Sequence, residues 1–224
     1  MAKIQKLKDA ISDSGLKVLV HGPAGAGKTV LAATGGAPTL ILSAEAGLLS
    51  LAGAPDHIDV VTIESMSDIG EMFDLLKEGT LYKWIVLDSV SEIAEVVLAN
   101  EKAASKDARA AYGALFDNVS AMIRAFRDLP KYNVLMTAKQ GRLEDTHTGI
   151  TVYAPMLPGK QLTSNISYWF DEVFALRVEE NEQGEIYRTL QTSRDLQFEA
   201  KDRSGKLDLF EKPSLKHIEE KIHA

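Results

Sequence analysis

Residues Gly22-Pro23-Ala24-Gly25-Ala26-Gly27-Lys28-Thr29 spell GxxxxGKT and follow the largely apolar run Leu16-Lys17-Val18-Leu19-Val20. A short strand, a glycine-rich turn and a helix in that order form a P-loop, and the spelling follows from its chemistry. A triphosphate has to be wrapped by backbone N–H groups, and side chains at the turn would hold it off, hence glycine at Gly22, Gly25 and Gly27. Pro23, Ala24, Ala26 and Val30 supply the rest of the cradle's backbone, Lys28 reaches the β- and γ-phosphates, and the Thr29 hydroxyl ligates Mg²⁺. A helix starting near Gly27 points its unpaired N–H groups at the same anion. The expected ligand is a nucleoside triphosphate with Mg²⁺.

Ligands of open α/β sheets sit beyond the carboxyl ends of the strands, so the other strand ends supply the remaining chemistry. Asp88 ends the apolar run Trp84-Ile85-Val86-Leu87, the Walker B arrangement, where a carboxylate holds Mg²⁺ opposite Thr29. The next residue is Ser89, not the glutamate that ring-forming AAA+ ATPases carry there, so the carboxylate that activates water must lie elsewhere. Glu45, just past the run Thr39–Ser43, is the candidate for orienting the attacking water; Glu92, one turn into the next helix, is the competitor. The glycine spacing also satisfies GxxGxGK, a spelling common in kinases.

Those strand ends need a framework. Residues 39–43, 59–63, 84–88 and 132–138 read as buried strands, with a helix after Ser65-Met66-Ser67-Asp68, whose spacing is that of a capping box. Helices are predicted near 90–103 and 108–128, the second stopped by Pro130. Alternating strands and helices predict an α/β fold with a mostly parallel sheet and helices on both faces. Residues 139–165, polar and rich in Gly, Thr and Pro, predict a long functional loop. Runs near 171–178, 185–192 and 196–202 predict an antiparallel C-terminal extension, turning at Asn181–Gly184, before a last helix over 214–222. Ile4, Leu7 and Ile11 predict an amphipathic helix over 3–13, which either packs on the core or docks a partner. The expected organisation is an N-terminal element, 1–15, able to serve oligomerisation, and one ATPase domain, 16–224.

Composition narrows the classes. At 224 residues and 45% apolar the chain can bury a sizeable core. Without cysteine it has no disulfide, thiolate metal site or cysteine nucleophile, which fits a reducing cytoplasm. Its apolar runs are strand-sized, so no membrane span or membrane partner is expected. A net charge of −7 argues against tight constitutive duplex binding and requires a local basic patch for any nucleic-acid contact. His21, His57, His147, His217 and His223 show no metal-ligand spacing.

The sequence resembles the RecA-type ATPases in Ile85-Val86-Leu87-Asp88-Ser89-Val90 and Ser43-Ala44-Glu45-Ala46. It is more closely similar to the phage-encoded nucleotide-binding proteins, a shortened RecA core associated with phage recombination and single-strand annealing. The P-loop, Thr137-Ala138-Lys139-Gln140, Leu157-Pro158-Gly159-Lys160, Phe170-Asp171-Glu172-Val173 and Lys201-Asp202-Arg203-Ser204-Gly205 carry that similarity over roughly 16–210. It implies a RecA-like P-loop NTPase core using ATP and Mg²⁺, with Thr137 and Gln140 sensing the γ-phosphate. It further implies that 141–163 contact single-stranded DNA, with Arg142, Tyr153 and Lys160 as candidates, although Glu144 and Asp145 depart from a basic loop. Lys201 and Arg203 would reach a neighbour's γ-phosphate, implying a homo-oligomeric ring or filament. A single-strand-binding protein is a further partner, and the host cytoplasm the location if the chain is phage-encoded.

Two other classes remain open. A nucleotide-gated assembly factor would bind ATP with little turnover. A phosphotransferase would need an arginine-rich lid, and residues 139–165 contain Arg142 as their single arginine.

Overall fold

The computed structural model describes Lys6 and residues 14–45, 47–144 and 149–224. The expected helix over 3–13, together with Asp145 and His147, therefore lies outside the described residues.

Runs of Val, Leu and Ile bounded by Gly, Pro and Ser form β1 (Lys17–Gly22), β2 (Thr39–Ser43), β3 (Ile58–Thr62) and β4 (Trp84–Asp88). Between them lie α1 (Lys28–Ala32) and α2 (Met66–Glu78); the Ser65 hydroxyl accepts the Asp68 N–H and Asp68 accepts from the Ser65 backbone, the expected capping box. Helices α3 (Val90–Ala104) and α4 (Ala108–Arg127) follow, then β5 (Asn133–Glu144), β6 (Thr151–Met156) and α5 (Lys160–Asn165). The chain ends with β7 (Glu172–Glu180), β8 (Ile186–Gln191), the two-residue β9 (Lys201–Asp202) and β10 (Phe210–Glu211), and α6 (Leu215–His223).

The sheet runs β10-β8-β7-β1-β5-β4-β2-β3, with β6 on β5 and β9 on β7. Strands β1, β2, β3, β4, β5 and β7 are parallel, and β6, β8 and β9 pair antiparallel with their neighbours. This is the P-loop NTPase fold, with the P-loop strand and the Walker B strand separated by β5. One apolar layer, built on Leu19, Leu42, Leu87 and Met136, packs against α2, α3 and α4; the other, with Val18, Val20, Ile41 and Val86, receives α1 and α6. Alternate residues of each strand thus serve opposite faces.

Two expectations are corrected. Residues 139–165 are not one long loop: β5 continues to Glu144 and folds back as β6, with Lys139 opposite Met156 and Glu144 opposite Thr151. Pro155 is tolerated because β6 is an outer strand, where a missing N–H breaks no second ladder. The C-terminal runs also do not form a purely antiparallel meander. β7 enters parallel to β1, with Val18 opposite Glu172, and the antiparallel pairing begins only with β8. Fully buried Val173, Phe174 and Ala175 give β7 the continuous apolar character of a central strand.

Candidate nucleotide site

The parallel register brings three strand ends and a residue within β5 to one edge: Gly22 of β1, Ser43 of β2, Asp88 of β4 and Thr137 of β5. At its centre Asp88 is 2% exposed and uses both carboxylate oxygens. Oδ2 accepts the Thr29 hydroxyl at 2.6 Å, and Oδ1 accepts the Thr137 hydroxyl in a short hydrogen bond. Thr137 is thereby tied to the Walker B carboxylate.

The loop between β1 and α1 has the backbone that its glycines predict. Gly25 and Gly27 have φ of 74° and 101°, left-handed values that other residues adopt at a cost. Gly22 is required for a different reason from the expected one: a Cβ there would stand 2.9 Å from the Leu176 carbonyl oxygen of β7. Lys28 donates to the Gly22 carbonyl at 2.9 Å and to that of Pro23 at 3.0 Å, folding back along the loop. Burial lowers its pKa, and the Glu45 and Asp88 carboxylates oppose that shift.

Glu45 lines the same cleft as Lys28 and Thr29, a cavity of about 570 Å³ that also takes in Ala24, Gly25, Gly27 and Val30. Its Oε1 accepts the Ser89 hydroxyl at 2.5 Å. Glu92, the competitor, forms an ion pair with Lys139 at 2.8 Å and is not among the residues lining that cleft. The Ser89 hydroxyl also accepts the Glu92 N–H at 3.2 Å, capping α3. Ser89 was not expected to act, although its spacing from Glu92 carries the helix-cap signature.

Family membership accords with this geometry: the family model described as an AAA domain matches residues 14–204. The chain belongs to the AAA-type P-loop ATPases. The comparison with curated proteins found no match. In this AAA-type ATPase the position after the Walker B aspartate is filled by a serine that holds a glutamate brought from β2.

The oxygen set fits a hard divalent cation. Thr29 and Asp88 offer one hydroxyl and one carboxylate, and among the described residues no three His, Cys, Asp or Glu side chains cluster as ligands. One hydroxyl and one carboxylate suit Mg²⁺, which keeps waters and takes phosphate oxygens rather than a full protein cage.

The remaining expected residues lie in several places. Gln140 lies against His21, which is fully buried. Burial lowers the His21 pKa, and its Nε2 sits 2.7 Å from the Glu199 carbonyl. Arg142 lies over the Tyr153 ring, 5.7 Å from its centroid. Tyr153 stacks on Phe198 at 5.0 Å, and Arg177 covers both Phe198 and Phe210. Lys160, at the start of α5, lines a separate groove with Tyr112, Phe116 and Pro158.

Lys201 and Arg203 sit at the amino edge of the sheet, since β9 pairs with Glu172 and Val173 at the start of β7. Lys201 donates to the carbonyls of Ser167 at 2.7 Å and Phe170 at 2.5 Å, and burial lowers its pKa. Arg203 is exposed and pairs with Asp171 at 2.5 Å. Neither reaches the P-loop of its own chain. Arg188 of β8, which carried no sequence signal, does: its Nε donates to the Ala26 carbonyl at 2.8 Å.

Proposed function

We propose that this chain hydrolyses ATP with Mg²⁺ and uses its nucleotide state to control binding to single-stranded DNA, in recombination or annealing of phage DNA. The observation that carries the hydrolytic part is Asp88 joined to Thr29 and Thr137, with Glu45 alongside and held by Ser89. Lys28 and the loop amides bind the phosphates. Thr29 and Asp88 would hold Mg²⁺, which neutralises phosphate charge when bound. Glu45 orients a water and accepts its proton.

The DNA-binding part is supported by strand continuity. β5 runs without a break from Thr137 at the carboxylate to Arg142 on the hairpin, so a shift at one end displaces the other. A second connection runs from His21, next to Gly22, through the Glu199 carbonyl, and the Glu199 N–H donates to the Tyr153 carbonyl at 2.8 Å. Arg142 would meet the phosphate backbone, and the aromatic group around Tyr153 would support stacked bases. Arg203, exposed at the far edge, is the stronger candidate for completing a neighbouring copy's site in a ring or filament, because Lys201 is tied to backbone carbonyls. A single-strand-binding protein is a further proposed partner, acting on the same DNA.

The decisive experiment measures phosphate release from ATP by wild type and Lys28→Ala, with and without single-stranded DNA. Stimulation that vanishes in Lys28→Ala is expected. Turnover indifferent to DNA would remove the DNA-binding part and favour a nucleotide-gated assembly factor.

A further inference from the structure

The nucleotide cleft holds a cation that lies outside the P-loop signature. Arg188 is 162 residues from Ala26 in sequence and reaches it only through the sheet. In the β7–β8 pair, Leu176 faces Leu190 and Val178 faces Arg188, so Arg188 shares a face with Leu176, which itself lines the cleft. The guanidinium lies against the P-loop where that loop lines the cleft: a Cβ built on Gly27 would stand 3.5 Å from Arg188 Nε.

Only Nε is used. Among the described residues the guanidinium forms no hydrogen bond or ion pair besides the one to Ala26. The N–H groups on its two terminal nitrogens are unspent, beside Lys28 and Thr29 in a cleft suited to a polyanion. A guanidinium presents its donors in a rigid fork matched to phosphate oxygens. Anchoring one edge of that fork to the loop fixes where the other edge points, so little order remains to be gained on binding.

We propose that Arg188 is a nucleotide-binding residue acting in cis: Nε holds the P-loop through Ala26, and the terminal nitrogens bind a phosphate oxygen of the nucleotide in the same cleft. This rests on the reading of the cleft as a nucleoside triphosphate site. The contact is made in the ground state, so it strengthens ATP and ADP binding alike and changes turnover less.

The test titrates ATP and ADP into wild type, Lys28→Ala, Arg188→Ala and Arg188→Gln, with kcat and KM measured in parallel. Arg188→Gln keeps an N–H donor for the Ala26 carbonyl but carries no charge. Both Arg188 variants should lose about tenfold or more in affinity for each nucleotide, with KM raised similarly and kcat changed less than about threefold. Wild-type affinity in Arg188→Gln would overturn the proposal and leave Arg188 as a latch on the loop. Wild-type affinity in Arg188→Ala would overturn it as well. If Lys28→Ala loses binding while the Arg188 variants keep it, this inference alone fails; if wild type binds neither nucleotide, the reading of the cleft fails with it.

Discussion

The Ser89 hydroxyl donates to Glu45 Oε1 across 2.5 Å, joining the end of the Walker B strand to the loop that leaves β2. The same hydroxyl oxygen accepts the Glu92 N–H, so its orientation is set by the start of α3. A carboxylate on a connecting segment is thus positioned by a rigid helix cap. Removing that hydroxyl should cost hydrolysis more than binding. Ser89→Ala is expected to slow phosphate release roughly 10- to 100-fold through misplacement of Glu45. Glu45→Gln should slow it roughly 100- to 10,000-fold, and Glu92→Gln should fall within about twofold of wild type. Nucleotide titration should show binding retained in all three; loss of binding in Glu45→Gln would remove it from the water-activating role.

Thr137 offers a cleaner probe of Asp88. It is fully buried, and valine fills nearly the same space without the hydroxyl. Thr137→Val leaves Asp88 Oδ1 without its donor, and a buried acceptor deprived of its partner costs about 1–3 kcal/mol. Urea denaturation without nucleotide should report that loss. An unchanged midpoint would mean that water replaces the threonine.

Glu172 governs a pH dependence at the opposite edge. It is 2% exposed, and burial followed by the nearby Asp202 carboxylate raises its pKa from 4.5 to about 8. Between 4.5 and about 8 the folded chain holds a proton that the unfolded chain releases, so this group subtracts stability as pH rises through that window. Glu172→Gln removes the titration. Its melting temperature relative to wild type should climb between pH 5 and 8, by about 2–4 °C per kcal/mol for a chain of this size. A constant difference across that range would show that Glu172 is ionised in the fold.

On the hairpin, Arg142 and Tyr153 should separate by kind of effect. Arg142→Ala is expected to weaken single-stranded DNA binding and to reduce the slope of log affinity against log salt by about 0.7, one phosphate contact on a single strand. Tyr153→Ala should lower stability as well, because its ring stacks on Phe198, a contact worth about 0.5–1.5 kcal/mol beyond area burial. Filter binding across a salt series checks the first expectation; an unaltered slope in Arg142→Ala would sink it.

Arg203 is exposed and far from its own P-loop, so its effect on hydrolysis should depend on assembly. Arg203→Ala is expected to abolish turnover while binding nucleotide normally. Mixing it with Lys28→Ala should restore activity, because a mixed assembly contains sites with an intact P-loop and a neighbour's Arg203. Failure to complement would confine Arg203 to its ion pair with Asp171.

The P-loop, the Walker B strand and the alternation that builds the sheet were legible because each is local. Glycines at fixed offsets set φ at Gly25 and Gly27, Ser65 and Asp68 cap α2 within one turn, and apolar runs such as Trp84–Leu87 announce buried strands. Polar composition misled at 139–165, where pairing with β6 carries β5 well past Ala138. Composition records how soluble a segment is, whereas a ladder depends on what lies beside it. The same limit hid the direction of β7, which is set by its docking against β1.

For the site, sequence alone picked out the candidate phosphate cradle, Thr29, Asp88 and Glu45, which the fold gathers around one cleft, because a motif's chemistry is written in residues close together in the chain. Only the tertiary structure decided which distant groups serve them. Ser89 reaches Glu45 from another strand end, Thr137 closes on Asp88 from β5, and Arg188 meets Ala26 from a strand two places from β1 in the sheet. The physical reason is that hydrogen bonds depend on distance and angle in space, and strand order, which sets those distances between remote segments, is fixed by packing across the whole sheet.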